Sequence, residues 1–129
     1  RAPPPLRLLI VDDHDILRYG LCSLLRQNGD VEVVGEADSV ADSIEKARAL
    51  APDVILMDAR LPDGSGIDAC REILSANPAV RVLFFSAYSD EQTVLMTMLA
   101  GAHGHVSKEI DLPVVVDAIR SVAGGATVI

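Results

Sequence analysis

Asp12, Asp13, Asp58, Ser86 and Lys108 are the residues whose places in the sequence suit them for chemistry. Each stands just after a short apolar run. Leu8 to Val11 ends in Asp12 and Asp13, Val54 to Met57 ends in Asp58, Val82 to Phe85 ends in Ser86, and the segment Gly104 to Ser107 delivers Lys108. An ionised carboxylate directly after a buried segment is costly unless something pairs with it. Asp58 alone decides little, because Asp is common as a helix or turn cap. Its repetition at other exits makes three carboxylates, a hydroxyl and an ammonium candidates for one pocket.

The elements that must position these residues follow from the apolar pattern. Val54, Ile55, Leu56 and Met57 form an unbroken run after Pro52, the mark of a strand buried on both faces of a parallel sheet. The turn-rich loop Leu61 to Gly66 follows. Strands are expected at about Arg7–Val11, Val31–Ala37 near an edge, Val54–Met57, Val80–Phe85 and, weakly, around His105. Between them lie five helical patterns. The first, capped by Asp13 or Asp15, carries Leu17, Leu21, Leu24 and Leu25 on one stripe and stops near Gly29. The second starts at the Ser39 and Asp42 capping signal, with Val40, Ile44, Ala47 and Ala51 inward. The third spans about Ile67–Ala76, with Ile67, Cys70 and Leu74 inward, and the fourth runs from Ser89 or Asp90 to about Ala100. The fifth starts at Asp111 and Pro113, turns Ile119 and Val122 inward, and ends at Gly124 and Gly125. Val94, Leu95, Met96, Met98 and Leu99 cover more than one stripe of the fourth helix, for which burial is the default reading. Strands alternating with helices five times imply a doubly wound α/β domain, whose ligands bind where the carboxyl ends of the strands converge.

The 129 residues suffice for one core, and with half of them hydrophobic but few aromatic, that core is aliphatic. A net charge of -8, with Lys and Arg scattered singly, argues against a surface that binds nucleic acid. No apolar run approaches a membrane span and no signal sequence opens the chain, which reads as cytoplasmic. Cys22 and Cys70 lack metal spacing and are expected as buried reduced thiols. Residues 1–6 are expected to form a proline-rich, loosely ordered lead-in.

An acidic pair in VDDHD, Asp58 in MDARLPDGSG, Ser86 and Lys108 together resemble the receiver domain of bacterial response regulators over nearly the whole chain. GLCSLL, LPDGSG and AGAHGHVSKE look most like the NarL/FixJ branch, whose members usually continue into a LuxR-type helix-turn-helix domain. The resemblance implies a flavodoxin-like (βα)5 fold with strand order 2-1-3-4-5. It implies a receiver domain over residues 7–124, with 125–129 beginning a linker to a C-terminal domain that lies outside this chain and through which DNA would be bound.

By the same resemblance Asp58 is the phosphoacceptor for a sensor histidine kinase. Asp12, Asp13, Asp58 and the Arg60 backbone carbonyl hold Mg2+, while Ser86 and Lys108 contact the phosphoryl group and switch the output surface. The chemistry is consistent: Mg2+ takes oxygen ligands, and with Lys108 it would relieve the repulsion among carboxylates and favour ionised Asp58. Arg60 and Tyr88, two residues beyond Asp58 and Ser86, are expected to shield the phosphoryl group from water. A homodimer through the helix 4, strand 5 and helix 5 surface or through helix 1 is a further expectation. One position departs from the family: His105 stands where Tyr or Phe is usual, so the aromatic switch is not assumed, and a satisfied or solvent-facing histidine is expected, with pH-sensitive activation as the sharper alternative. His14 reads as a helix-start residue rather than a metal ligand, and His103 carries no role. The rival readings are an interaction module that needs no phosphorylation and an aspartyl phosphatase. The latter would want a carboxylate where Arg60 stands.

Overall fold

A computed structural model describes residues 3–129; Arg1 and Ala2 of the expected lead-in lie outside the described residues. In chain order the elements are β1 (Leu6–Val11), α1 (Asp15–Arg26), β2 (Val31–Ala37), α2 (Val40–Leu50), β3 (Val54–Met57), the short strands β4 (Arg60–Leu61) and β5 (Gly64–Ser65), α3 (Gly66–Ala76), β6 (Arg81–Ser86), α4 (Glu91–Leu99), β7 (Gly104–Ser107) and α5 (Leu112–Ala123). The main sheet has the order β2-β1-β3-β6-β7, with every pairing parallel. Apart from the two-residue ribbon β4-β5, this is the expected 2-1-3-4-5 arrangement, with β2 at an edge.

Successive residues of each central strand feed opposite cores. Leu9, Val11, Ile55, Met57, Val82 and Phe84 pack on the α2 and α3 side, while Leu8, Ile10, Val54, Leu56, Leu83 and Phe85 pack on the α1 and α5 side. All four residues of β3 are buried, and each such side chain contributes on the order of 2 kcal/mol by leaving water. β3 therefore cannot be displaced without opening both cores, and Asp58 inherits its rigidity.

Helix starts and ends differ from expectation in places. His14 is the N-cap of α1, and neither Asp13 nor Asp15 caps it, because Asp15 already lies in the first turn. Ser39 does cap α2, accepting the Asp42 N–H, whereas the Asp42 carboxylate turns to Lys46 instead of closing the box. Ala51 is exposed and left-handed at φ 44° rather than inward, since Pro52 denies it a helical backbone. Asp90, not Ser89, caps α4. β6 runs one residue further than expected because Ser86 pairs with Ser107.

Default burial of α4 is overturned. Leu95 and Leu99 are 57% and 69% exposed and Met96 is also exposed, while Thr97 is buried. Only one narrow face of α4 reaches the sheet, so the extra apolar residues face solvent. Beyond α5, Val128 adds a parallel bridge to Gly104: the Val128 N–H donates to the His103 carbonyl at 3.1 Å and its carbonyl accepts the His105 N–H at 2.8 Å.

Candidate functional site

The exits of β1, β3 and β7 meet at one point. The Asp58 N–H donates to the Val11 carbonyl and the Lys108 N–H to the Ser86 carbonyl, so backbone bonds across the sheet fix where each side chain starts. Gly66 completes the frame, since a Cβ there would run into the Asp58 carbonyl. Lys108 Nζ then spans the two buried carboxylates, at 2.7 Å from Asp12 Oδ2 and 2.8 Å from Asp58 Oδ2. Asp12 and Asp58 are 3% and 4% exposed, a burial that would be prohibitive for two unpaired charges.

Burial lifts the Asp58 carboxyl above the ordinary carboxylate range, against the Lys108 hydrogen bond and charge and with the Asp12 charge adding to the rise. For Lys108, burial alone would lower the pKa, and contacts with Asp12 and Asp58 overcome it and raise it. Lys108 is held in its charged form because it has two carboxylate partners. One ammonium between two carboxylates leaves negative charge uncompensated, which adds to the lift that burial gives Asp58.

Oxygen atoms of Asp12, Asp13 and Asp58 and a ring nitrogen of His14 lie within 4.8 Å of one another. Donors on opposite sides of one ion at about 2.1 Å would be about 4.2 Å apart, so a contraction of a few tenths of an ångström would bring the whole cluster onto a single divalent ion. Asp13 is exposed, leaving room for water ligands. The Arg60 N–H donates to Asp58 Oδ1 at 3.3 Å; this backbone contact brings Arg60 to the site.

Ser86 is fully buried and its hydroxyl accepts the Tyr88 N–H at 2.9 Å. The Arg60 guanidinium lies over the Tyr88 ring, 3.9 Å from its centre, which joins the two residues at the mouth of the site. His105 is buried and satisfied: Nδ1 is 3.1 Å from Thr97 Oγ1, Nε2 is 3.3 Å from Ser89 Oγ, and the ring stacks on Phe84. The Thr97 hydroxyl also reaches the Val94 carbonyl at 2.7 Å, so one side chain ties α4 both to itself and to His105. Burial holds its pKa below the ordinary histidine value.

Four supporting residues escape a reading of the sequence. The Arg18 guanidinium bonds the Asp12 carbonyl and also Glu36 and Asp15. Asp63 accepts the Val40 and Ala41 N–H groups at 2.7 and 3.1 Å, clamping the loop after Asp58 to α2. His103 Nδ1 accepts the Val82 N–H at 3.0 Å, a structural role. His14, although the N-cap of α1, turns its ring into the cluster, with Nδ1 2.7 Å from Asp12 Oδ1. Both cysteines are buried, and burial pushes the Cys70 thiol up to about 12. Among the described residues no helix is long and apolar enough to cross a membrane.

A parallel (βα)5 sheet with acidic, hydroxyl and lysine side chains at its carboxyl edge defines a class, and the comparisons agree. Residues 8–120 match the model of the response regulator receiver domain, and the chain belongs to that family, in its NarL/FixJ branch. It is 40% identical over 124 residues to the DNA-binding transcriptional activator DevR/DosR of Mycobacterium tuberculosis, covering 96% of this chain and 57% of that protein. It is 38% identical to the response regulator GacA of Pseudomonas viridiflava, covering 93% and 56%. A two-component response regulator of the LuxR family from Aurantimonas sp. SI85-9A1 superposes with a TM-score of 0.92 at 33% identity, covering 97% of this chain and 89% of that one. The chain thus spans little more than half the length of the curated relatives it matches.

Proposed function

We propose that this chain is the receiver of a two-component system, in which Asp58 accepts a phosphoryl group from a sensor histidine kinase and the change is relayed to a transcriptional output in a longer protein. The carrying observation is the Lys108 ammonium held 2.7 and 2.8 Å from two buried carboxylates at converging strand ends. Such a cation is set to follow the charge when phosphate replaces a free carboxylate.

In this reading Asp12, Asp13, Asp58 and the Arg60 carbonyl hold Mg2+, which when bound supplies charge neutralisation and a ligand site for a phosphoryl oxygen. An Asp58 oxygen attacks phosphorus, the bond to the donor breaks, and the donor's leaving atom takes up the electron pair. Lys108 and the Ser86 hydroxyl contact the phosphoryl oxygens, and as Ser86 turns to donate its proton there, the Tyr88 N–H that its oxygen accepts moves with it. That draws the β6-α4 loop inward, with Ser89 and thereby His105 affected. Leu95, Met96 and Leu99 on α4 and Val114 on α5 offer an exposed apolar surface for a homodimer, and Ile16 and Tyr19 on α1 a second.

Incubation with Mg2+ and acetyl phosphate, followed by intact mass measurement, tests the core of this reading. The wild type is expected to gain one phosphoryl group and Asp58→Asn none. Equal gains, or no gain by the wild type, would sink it.

A further inference from the structure

His14 Nδ1 stands among donors and acceptors it cannot satisfy together. It is 2.7 Å from Asp12 Oδ1, 3.6 Å from Asp13 Oδ1, 3.9 Å from Asp58 Oδ2 and 3.2 Å from Lys108 Nζ. Lys108 can only donate, and a carboxylate can only accept. If Nδ1 bears a proton it serves Asp12 but meets the ammonium head on. If it is bare it accepts from Lys108 and sets its lone pair against an Asp12 oxygen. A divalent ion within the cluster removes the conflict, because a bare Nδ1 and the carboxylate oxygens would all point at positive charge.

The backbone supports this orientation. His14 is the N-cap of α1 in an extended conformation, and its N–H donates to Asp12 Oδ1 at 2.9 Å. One hydrogen bond thus holds the ring beside the carboxylate whose other oxygen faces Lys108. Water suits Mg2+ better than imidazole does, whereas imidazole suits the later first-row ions.

We propose that His14 is a nitrogen ligand of the divalent ion, making the cluster a mixed nitrogen and oxygen site that binds a first-row transition ion more tightly than Mg2+. The inference rests on the divalent site of the proposed function and adds to it both a ligand and a class of ion.

The test uses the untagged chain freed of metal by chelation. Mn2+ is added and its electron spin echo envelope is read for modulation by a directly bonded nitrogen, while Co2+ and Mg2+ affinities are measured by competitive titration for wild type, His14→Ala and Asp58→Asn. The wild type is expected to show the nitrogen modulation and to bind Co2+ more tightly than Mg2+. His14→Ala is expected to lose the modulation and to bind Co2+ about ten- to a hundredfold more weakly, with a much smaller change for Mg2+. His14 is 63% exposed at its side chain, so this variant removes little packing. Bound Mn2+ without nitrogen modulation, or equal weakening for both ions, overturns the role of His14 while leaving the phosphoacceptor reading intact. Divalent binding that is undisturbed in Asp58→Asn overturns the inference and removes the metal site from the proposed function as well.

Discussion

Two carboxylates, Asp12 and Asp58, share one ammonium in a nearly dry position, so Lys108 has a structural duty besides any signalling one. Replacing it with methionine keeps much of the buried stem but leaves the pair facing each other. Lys108→Met is therefore expected to lower the stability of the metal-free protein at neutral pH by about 3 kcal/mol, measured by urea unfolding. Added Mg2+ should recover part of that loss, since a ligand that binds only the folded state stabilises it. Arg60 and Tyr88 hold each other through the guanidinium stacked on the ring, so a shielding role would belong to the pair. The double variant Arg60→Ala, Tyr88→Ala is expected to shorten the phosphoryl lifetime, followed by mass spectrometry after donor removal; an unchanged lifetime would refute the shielding role.

β7 and α4 act as one unit through the His105 and Thr97 contact. Thr97→Val keeps the shape but removes the hydroxyl partner of the buried His105 Nδ1, so a loss of about 1–2 kcal/mol is expected in thermal or chemical unfolding. His105 in β7 and His103 in the loop just before it also set a pH response. Burial lowers the pKa of both His103 and His105 in the folded state. The unfolded chain therefore binds protons first as pH falls. Their contribution is fully present above the ordinary histidine pKa of about 6.5 and declines below it, until the lowered folded values are passed. Unfolding curves between neutral and mildly acid pH should show this decline, and His105→Tyr should flatten it. On the outer face of α4, Leu95→Ser and Leu99→Ser are expected to change stability by no more than about 0.5 kcal/mol, because both side chains are mostly in water already. The apolar run of α4 concealed this: with no single stripe, the pattern does not say which side meets the sheet, and the one fully buried residue of the helix is a threonine.

At the scale of the whole molecule, the sheet was readable because parallel strands buried on both faces appear as unbroken apolar runs, and the site because its polar residues follow those runs directly. What stayed hidden depends on side chains crossing between elements. Arg18 reaching the Asp12 carbonyl, Asp63 reaching α2 and His14 turning inward have no periodic signature, and hydrogen-bonding direction cannot be inferred from spacing. The first helix start, expected at Asp13 or Asp15 and found at His14, belongs to the same class, as does the choice of Asp90 over Ser89, since several polar residues competed and local geometry chose among them. The short bridge at Val128 carries a last consequence. Open borders of sheets invite recruitment by neighbouring chains, and here the peptide groups of His103 and His105 on that border are already occupied from within. Trimming residues 126–129 should leave the fold intact yet turn a concentrated solution cloudy, as light scattering over days of storage would register.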